Sequence, residues 1–254
     1  MKKLFTLSAL LCFTGLSFAL PPTKYLSDAI GGDKIETPTA TPVAGIYETS
    51  VKGQIIYLSE DGKYAIQGTM VNLETGDNIS EQRLNTVRKN LIQTIPVSEM
   101  IIYKPTKTKD IIYVYTDIDC GYCRKLHHEM QSYLDKNIEV RYLAFPRSGP
   151  NTISSRKYDA VWCSKDRHTA MTDAKNGKDI PAGNCKTPVE AQFRLGMEMG
   201  VNGTPAIILE DGYLIAGYVP AADLRTILDE HKNVNSAKGS EQVSEKIEPK
   251  QDLK

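Results

Sequence analysis

A Cys-Gly-Tyr-Cys motif at residues 120–123 constrains this chain more than any other feature. It follows an apolar, β-branched run at 111–116, which is typical of a buried strand. Apolar residues from Leu126 to Leu134 then recur at helical spacing. At a strand-to-helix turn the first sulfur lies at the helix N-terminus, where unpaired amides and the helix dipole favour a thiolate. The pattern therefore predicts a dithiol that performs thiol–disulfide exchange.

Other interpretations of these two cysteines are weaker. A structural disulfide across so short a loop adds little stability through chain entropy. His127 and His128 lie nearby, but zinc would need two further ligands at suitable spacing, and Cys163 and Cys185 form no second C-x-x-C. A c-type haem requires histidine directly after the second cysteine, where Arg124 stands. We therefore predict no metal and no cofactor, and place both histidines on an exposed or partly exposed helix face.

The first residues, 1–19, have the pattern of a secretory signal peptide. Lys2 and Lys3 precede an apolar stretch too short to span a membrane comfortably, and Ser17-Phe18-Ala19 supplies a cleavage site. Removing the two lysines from 31 basic residues leaves 29, against 31 acidic ones. This balance gives no argument for a nucleic-acid partner. We expect a periplasmic protein, in a compartment that permits disulfides.

Composition divides the mature chain into four parts. We predict an N-terminal domain at 20–79, a linker helix at 80–96, a second domain at 97–234 and a charged, disordered tail at 235–254. Ser80 is the expected N-cap of the linker helix, which Pro96 ends.

The N-terminal domain has the pattern of a small sheet. Strands are expected at 54–58 and 64–71 around an Asp-Gly turn, and a Pro/Thr cluster at 37–42 predicts a loop. About fifty ordered residues cannot build a large core, so pairing with a second copy through an exposed strand edge is one solution.

The second domain alternates strand and helix patterns. Besides 111–116, strands are expected at 100–103, 139–145, 206–209 and 214–217, with mainly helical sequence from 154 to 200 and a final helix at 221–231. Cys163 and Cys185 flank a polar segment in the helical region and lack a strand–turn–helix context. We interpret them as a structural disulfide, which at a loop of about 20 residues contributes roughly 3 kcal/mol.

Two further positions near the dithiol leave alternatives open. Pro205, in Gly203-Thr204-Pro205, precedes an apolar strand. It is either an ordinary trans turn proline or a cis proline that exposes the backbone of Thr204 to an extended substrate. Asp119 either raises the pKa of Cys120 by opposing the helix dipole or points to solvent with little effect.

Several segments resemble the DsbC/DsbG family of bacterial periplasmic disulfide isomerases. They are Val114–Asp117 leading into Cys-Gly-Tyr-Cys, Arg141–Arg147, Val161–Cys163, Gly203–Ala206, Pro42–Gly45 and Asp61–Gly68. The similarity covers the mature chain except the charged tail, and Gly121-Tyr122 between the cysteines favours the DsbC branch. Asp119 departs from the threonine expected there, which leaves the redox poise open.

The resemblance implies an α+β, cystatin-like N-terminal dimerisation domain and a linker helix. It also implies an α/β thioredoxin-fold domain with a helical insertion. It implies a V-shaped homodimer pairing around residues 64–71, a structural Cys163–Cys185 disulfide, a cis Pro205, and a dithiol kept reduced by the membrane electron donor DsbD.

We predict a disulfide isomerase and reductase, with chaperone activity, that corrects misfolded exported proteins carrying wrong disulfides. Cys120 attacks and Cys123 or a client thiol resolves. Gly121 and Tyr122 tune the pair, while Thr204 and Pro205 hold the client. The alternatives are a dithiol oxidase and a chaperone whose cysteines are incidental.

Overall fold

A computed structural model describes residues 21–32 and 35–247, with side chains as far as Val234. The predicted signal peptide therefore lies outside the described residues. The chain forms two compact units: one contains the described residues up to Thr49 together with 56–68, and the other contains 50–55 and the residues from 69 onward. Within the described ranges, every helix falls short of the length and apolar character that a membrane span requires.

The N-terminal part consists of a short helix and a four-stranded sheet. These are α1 (Lys24–Ala29), β1 (Thr39–Ala40), β2 (Ile46–Val51), β3 (Gln54–Ser59) and β4 (Ala65–Gln67), with sheet order β1-β2-β3-β4. The predicted strand at 54–58 is confirmed, and β4 is shorter than the predicted 64–71. Strand β2 was not predicted from the sequence, and β1 lies in the segment 37–42 that was predicted to be a loop. Both β1 and β4 are edge strands with a neighbour on one side only, which limits their length.

The linker helix is α2 (Ile79–Gln93), which ends before Pro96 as predicted. Its N-cap is Asn78 rather than Ser80: the Asn78 side chain accepts the Glu81 amide at 2.9 Å. The Ser80 hydroxyl instead accepts a different backbone amide, so the helix begins one residue earlier than the sequence suggested.

The second domain is built on a five-stranded sheet of order β5-β7-β6-β8-β9. Its strands are β5 (Ile101–Tyr103), β6 (Asp110–Thr116), β7 (Ile138–Ala144), β8 (Ala206–Leu209) and β9 (Leu214–Ala216). Strand β6 is parallel to β7 and antiparallel to β8, while β5 and β9 are antiparallel edges. All five predicted strands are confirmed, with ends shifted by a residue or so.

Six helices surround this sheet: α3 (Gly121–His128), α4 (Met130–Asp135), α5 (Ile153–Trp162), α6 (Arg167–Lys175), α7 (Val189–Glu198) and α8 (Ala221–Ile247). The predicted helix after the motif is divided at Glu129, whose backbone leaves the helical conformation. Side chains of the central strand β6 enter two buried clusters: Ile112 and Val114 belong to one and Tyr115 to the other, and none of the three is exposed. Because β6 is fixed on both faces, the turn at its carboxyl end has a rigid base.

Helix α8 begins where predicted but continues to Ile247, beyond the expected end at His231. The segment predicted as a disordered tail from 235 thus has helical backbone as far as Ile247, and 248–254 lie outside the described residues. Once a helix is nucleated on a packed domain, each further residue adds a backbone hydrogen bond at low cost.

Candidate active site

The turn between β6 and α3 is built around the buried Asp117. One carboxylate oxygen accepts the Asp119 amide at 2.7 Å, and the other accepts the backbone N–H and Nε of Arg147 at 3.0 and 3.1 Å. Tyr158, from α5, also ties the turn: its hydroxyl donates to the Thr116 carbonyl and accepts the Ile118 amide. These contacts fix the loop that presents Cys120.

Cys120 is the N-cap of α3, and its residue surface is 5% exposed. Burial raises the pKa of its thiol, but the polar groups of Cys123 and Thr204 and the charge of Arg147 outweigh burial and leave the pKa below its ordinary value. Cys120 makes no side-chain capping hydrogen bond, and its position at the helix N-terminus favours a thiolate through the helix dipole. Cys120 is the better nucleophile of the pair.

Cys123 lies one turn further into α3 and is fully buried. Its Sγ accepts the Asp117 amide at 3.3 Å. Burial raises the pKa of this thiol, and the buried Lys175 offsets only part of that effect. The two thiols of the motif therefore differ in the direction of their pKa shifts, as a nucleophile followed by a resolving thiol requires. Both are thiols in this structure.

The Thr204–Pro205 peptide bond is cis, which decides between the two alternatives left open by the sequence. The Thr204 carbonyl accepts a hydrogen bond from Cys120 Sγ at 3.2 Å. The structure thus brings Thr204 and Pro205 directly against the motif, although 84 residues separate Thr204 from Cys120.

An aromatic pair lies beside the dithiol. Tyr122 is 65% exposed, and its ring stacks on Tyr218 with centroids 6.2 Å apart. Lys125 Nζ lies 4.6 Å from the Tyr218 ring centroid. Gly121 leaves open space, since a Cβ there would meet no atom within 4 Å. This exposed surface can contact an apolar polypeptide segment.

Asp119 is engaged by cations rather than directed at the thiolate. Its Oδ1 accepts Lys157 Nζ at 2.6 Å and lies 3.6 Å from Arg124 Nη2. The main causes of the shift in the Cys120 pKa do not include this carboxylate. The structure therefore favours the interpretation in which Asp119 has little effect.

Cys163 and Cys185 form a disulfide away from the motif, with Cα atoms 5.7 Å apart. It connects the C-terminus of α5 to the loop before α7. Gly183 passes so close that a Cβ there would lie 2.1 Å from Cys163 Cβ. The bond is part of the helical insertion.

One prediction near the motif was wrong. His128 is exposed, but His127 is buried, with its ring nitrogens 3.3 Å from the Tyr142 hydroxyl and 3.0 Å from Thr172 Oγ1. Burial, followed by the charge of Lys175, lowers the pKa of His127 to about 4. Helical periodicity from the apolar residues alone did not show that the inserted helix α6 covers this face.

Sequence reasoning also missed residues that complete the site. They are Asp117, Arg147, Tyr158, Lys175 and Tyr218. Asp117 and Arg147 lie within segments that carried the family resemblance, so a signal for these two existed. Lys175 and Tyr218 had none, because their positions depend on how distant segments fold together.

Comparison with known proteins bears on both domains. Residues 97–232 match the family described as thioredoxin-like domain, and 19–81 match the disulfide bond isomerase protein N-terminal domain. The predicted two-domain fold class is thereby confirmed.

Two similar proteins match this chain across both domains. The chain is 36% identical over 241 residues to the thiol:disulfide interchange protein DsbC of Escherichia coli K12, covering 94% of this chain and 100% of that protein. Identity to DsbC of Salmonella typhimurium is 37% over 242 residues, with the same coverage. A crystal structure of a disulfide interchange protein from Neisseria gonorrhoeae is 28% identical, covers 54% of this chain and 97% of that one, and gives a TM-score of 0.48.

Proposed function

Because the chain belongs to the DsbC family of thiol:disulfide interchange proteins, we propose that it rearranges incorrect disulfides in exported proteins. The observation that carries the proposal is the environment of Cys120. Its thiol has a lowered pKa, lies at the N-terminus of α3 and contacts the backbone beside a cis proline. A nucleophilic sulfur next to the backbone of Thr204 is suited to disulfides within polypeptides.

In the proposed reaction, the Cys120 thiolate attacks one sulfur of a client disulfide. A mixed disulfide forms, and the other client sulfur leaves as a thiolate. If another client thiolate then attacks the mixed disulfide, Cys120 is released and the client has been isomerised. If Cys123 attacks Cys120 instead, the client leaves reduced and the protein becomes oxidised.

The client is held by groups on both sides of Cys120. We assign the backbone of Thr204 to pairing with an extended client segment and Pro205 to contact beside it, while Tyr122 and Tyr218 contact the client's apolar side chains. Gly121 keeps the approach open.

The test is recovery of a scrambled disulfide protein by the mature chain and its Cys120→Ala variant. We expect Cys120→Ala to abolish recovery while retaining suppression of client aggregation, which measures the chaperone activity separately. Recovery that survives Cys120→Ala would contradict the catalytic assignment. Faster oxidation of reduced clients than correction of scrambled ones would favour a dithiol oxidase instead.

We also propose a homodimer formed through the edge strand β4. All three residues of β4 are exposed, with Ile66 57% exposed and neighbouring Tyr64 70% exposed, so an apolar strand edge is open for pairing. Ile66→Asp should convert a dimer to a monomer in analytical ultracentrifugation. Ile153→Asp, on α5 and also exposed, is the matched control and should leave the dimer intact. A monomeric wild type would exclude the proposal.

We propose that the protein acts in the periplasm. Residues 1–19 direct its export as a signal peptide and are then cleaved. The Cys163–Cys185 disulfide supports an oxidising compartment. There a membrane donor of the DsbD type keeps Cys120 and Cys123 reduced. Trapping thiols in cells with and without such a donor tests this: the motif should be oxidised only when the donor is absent.

A further inference from the structure

Lys175 is a buried cation beneath the dithiol that the proposed reaction has not yet used. It is the last residue of α6 and is 1% exposed. Its Nζ donates to Thr116 Oγ1 at 2.9 Å and to the Asp117 carbonyl at 3.3 Å. Both acceptors are uncharged, and no carboxylate oxygen of a described residue lies within ion-pairing distance of Nζ. An ammonium buried with neutral partners only is costly, which calls for a reason.

The same residue, Asp117, holds Lys175 and Cys123 in place. Its carbonyl accepts the Lys175 ammonium, while its amide donates to Cys123 Sγ at 3.3 Å. Lys175 from α6 and Cys123 from α3 are therefore both hydrogen-bonded to the backbone of the residue that follows β6. After burial, the Lys175 charge is the main influence on the pKa of the Cys123 thiol, and it lowers that pKa.

The groups around Lys175 differ in the charge that they can offer it. They are Arg124 and His127 from α3, the Asp117 carboxylate at the end of β6, Tyr142 from β7, and the two thiols. Arg124 is a cation, His127 is neutral at pH 7 and the Tyr142 ring lies 5.5 Å from Nζ. The Asp117 carboxylate is already bound by Arg147 and the Asp119 amide. Cys123 is the first of the groups that raise the pKa of Lys175, ahead of the Asp117 carboxylate and Cys120.

We propose that Lys175 is a positioning residue for the resolving step, in which its ammonium stabilises the Cys123 thiolate. The inference rests on the proposed function for the identity of the step, but not for the effect on Cys123. Burial lowers the pKa of Lys175 to about 8, so Lys175 carries its proton at pH 7, where the step is measured.

In the resolving step, Cys123 gives its proton to water, and its Sγ attacks Cys120 Sγ in the mixed disulfide. The bond between Cys120 and the client sulfur breaks, the two motif cysteines are oxidised to a disulfide, and the client sulfur is reduced. The client leaves as a thiolate and takes a proton from water. Lys175 thereby favours reduction over isomerisation by a client thiol, since only reduction needs the Cys123 thiolate.

The first measurement is the pKa of Cys123, taken from thiolate absorbance in a Cys120→Ser background to remove the neighbouring thiol. Lys175→Met keeps the length of the side chain and removes its charge. We expect it to raise the Cys123 pKa by about one unit or more, which is about tenfold less thiolate at neutral pH. Lys178→Met is the matched control, because Lys178 is exposed and paired with Asp173; it should leave that pKa unchanged.

The second measurement, with Cys120 restored, is the rate at which Cys123 releases a model peptide from a preformed mixed disulfide. Lys175→Met should slow release about tenfold at pH 7 and move the midpoint of its pH profile upward by the same amount as the pKa. A merely structural lysine would move neither midpoint.

A Cys123 pKa in Lys175→Met within about 0.3 units of the parent overturns the proposal, whatever the isomerase assay gives. If Lys175→Met does not fold, Lys175→Gln carries the same prediction. If the wild-type protein shows no isomerase activity, the proposed function is contradicted, but the comparison of Cys123 pKa values remains valid.

Discussion

The first cysteines of the two pairs in the second domain lie at opposite ends of their helices. Cys120 is the N-cap of α3, whereas Cys163 is the C-cap of α5. The dipole of a helix favours negative charge at its N-terminus and disfavours it at its C-terminus. The same side chain is therefore stabilised as a thiolate at the first site and not at the second.

The reactive pair of cysteines is less exposed to solvent than the disulfide-bonded pair. Cys120 and Cys123 are buried, whereas Cys185 is exposed and Cys163 half-buried. Reactivity here follows from oriented amides and neighbouring charges rather than from access alone. Spacing adds to the contrast: the disulfide closes a separation of 22 residues, long enough for a large entropic effect on the unfolded chain.

The largest expected difference is in exchange activity. Cys120→Ala removes the nucleophile and should lower the rate of client disulfide exchange on the order of 10³-fold or more. The double variant Cys163→Ala/Cys185→Ala should retain that rate within about twofold, since it leaves the β6–α3 turn intact. A large loss in the double variant, with the fold intact by circular dichroism, would show that the two pairs are coupled.

For the free energy of unfolding, the Cys163–Cys185 pair should have the larger effect and the Cys120–Cys123 pair the smaller. In the chain-entropy account, Cys163→Ala/Cys185→Ala loses about 3 kcal/mol of unfolding free energy. The conversion of Cys120 and Cys123 between thiols and disulfide closes a far smaller loop and should change it less. Denaturant unfolding of the oxidised, reduced and double-variant proteins measures both. Equal midpoints for the double variant and the wild type would contradict the structural role.

The approach of Gly183 to Cys163 gives a smaller test of the same bond. Its Cβ would lie 2.1 Å from Cys163 Cβ, so Gly183→Ala must shift the loop. We expect a loss of about 1–3 kcal/mol, typical of overpacking. Gly177→Ala is not a suitable control because Gly177 has positive φ, whereas Gly203→Ala meets no atom within 4 Å and should cost less. Equal unfolding midpoints for the two variants would exclude this explanation.

Within the reactive pair, alkylation should separate the two sulfurs. The Cys120 pKa is lowered and the Cys123 pKa raised, so iodoacetamide should modify Cys120 at least about tenfold faster at pH 7. The midpoint of the Cys120 rate profile should lie below pH 9.0, and that of the Cys123 profile above it. Peptide mass spectrometry of quenched samples gives both profiles, and coincident profiles would contradict the assignment.

The sign for stability follows from the same shift. Because the folded pKa of Cys120 lies below its ordinary value of 9.0, the contribution of Cys120 to the stability of the reduced protein grows as pH rises through the window between the two values. This contribution is complete above 9.0 and is lost as pH falls through the folded pKa.

What the sequence could predict differs between the scaffold and the surroundings of the site. The Cys120–Cys123 motif, the five strands and the start of α8 follow from local periodicity, which depends on neighbours in the chain. The buried positions of Lys175 and His127 do not, because both result from α6 packing against α3 and the end of β6. A lysine at a helix end is normally interpreted as a solvated residue, and nothing local contradicts that interpretation here.

The smallest expected effect concerns Asp119, which precedes Cys120 in the chain but whose carboxylate binds other side chains. Its carboxylate is held by Lys157 and Arg124, all three partly exposed, so solvent screens its field at the thiolate. Asp119→Asn should therefore change the Cys120 pKa by no more than about 0.3 units. The direction should be downward, since two cations lose their partner. Thiolate absorbance against pH measures it, with Asp173→Asn as a control for removing a paired surface carboxylate from the same domain. A fall of a full unit would mean that Asp119 opposes the helix dipole after all, and that the contrast between the two cysteine pairs is set partly by this side chain and not by the backbone alone.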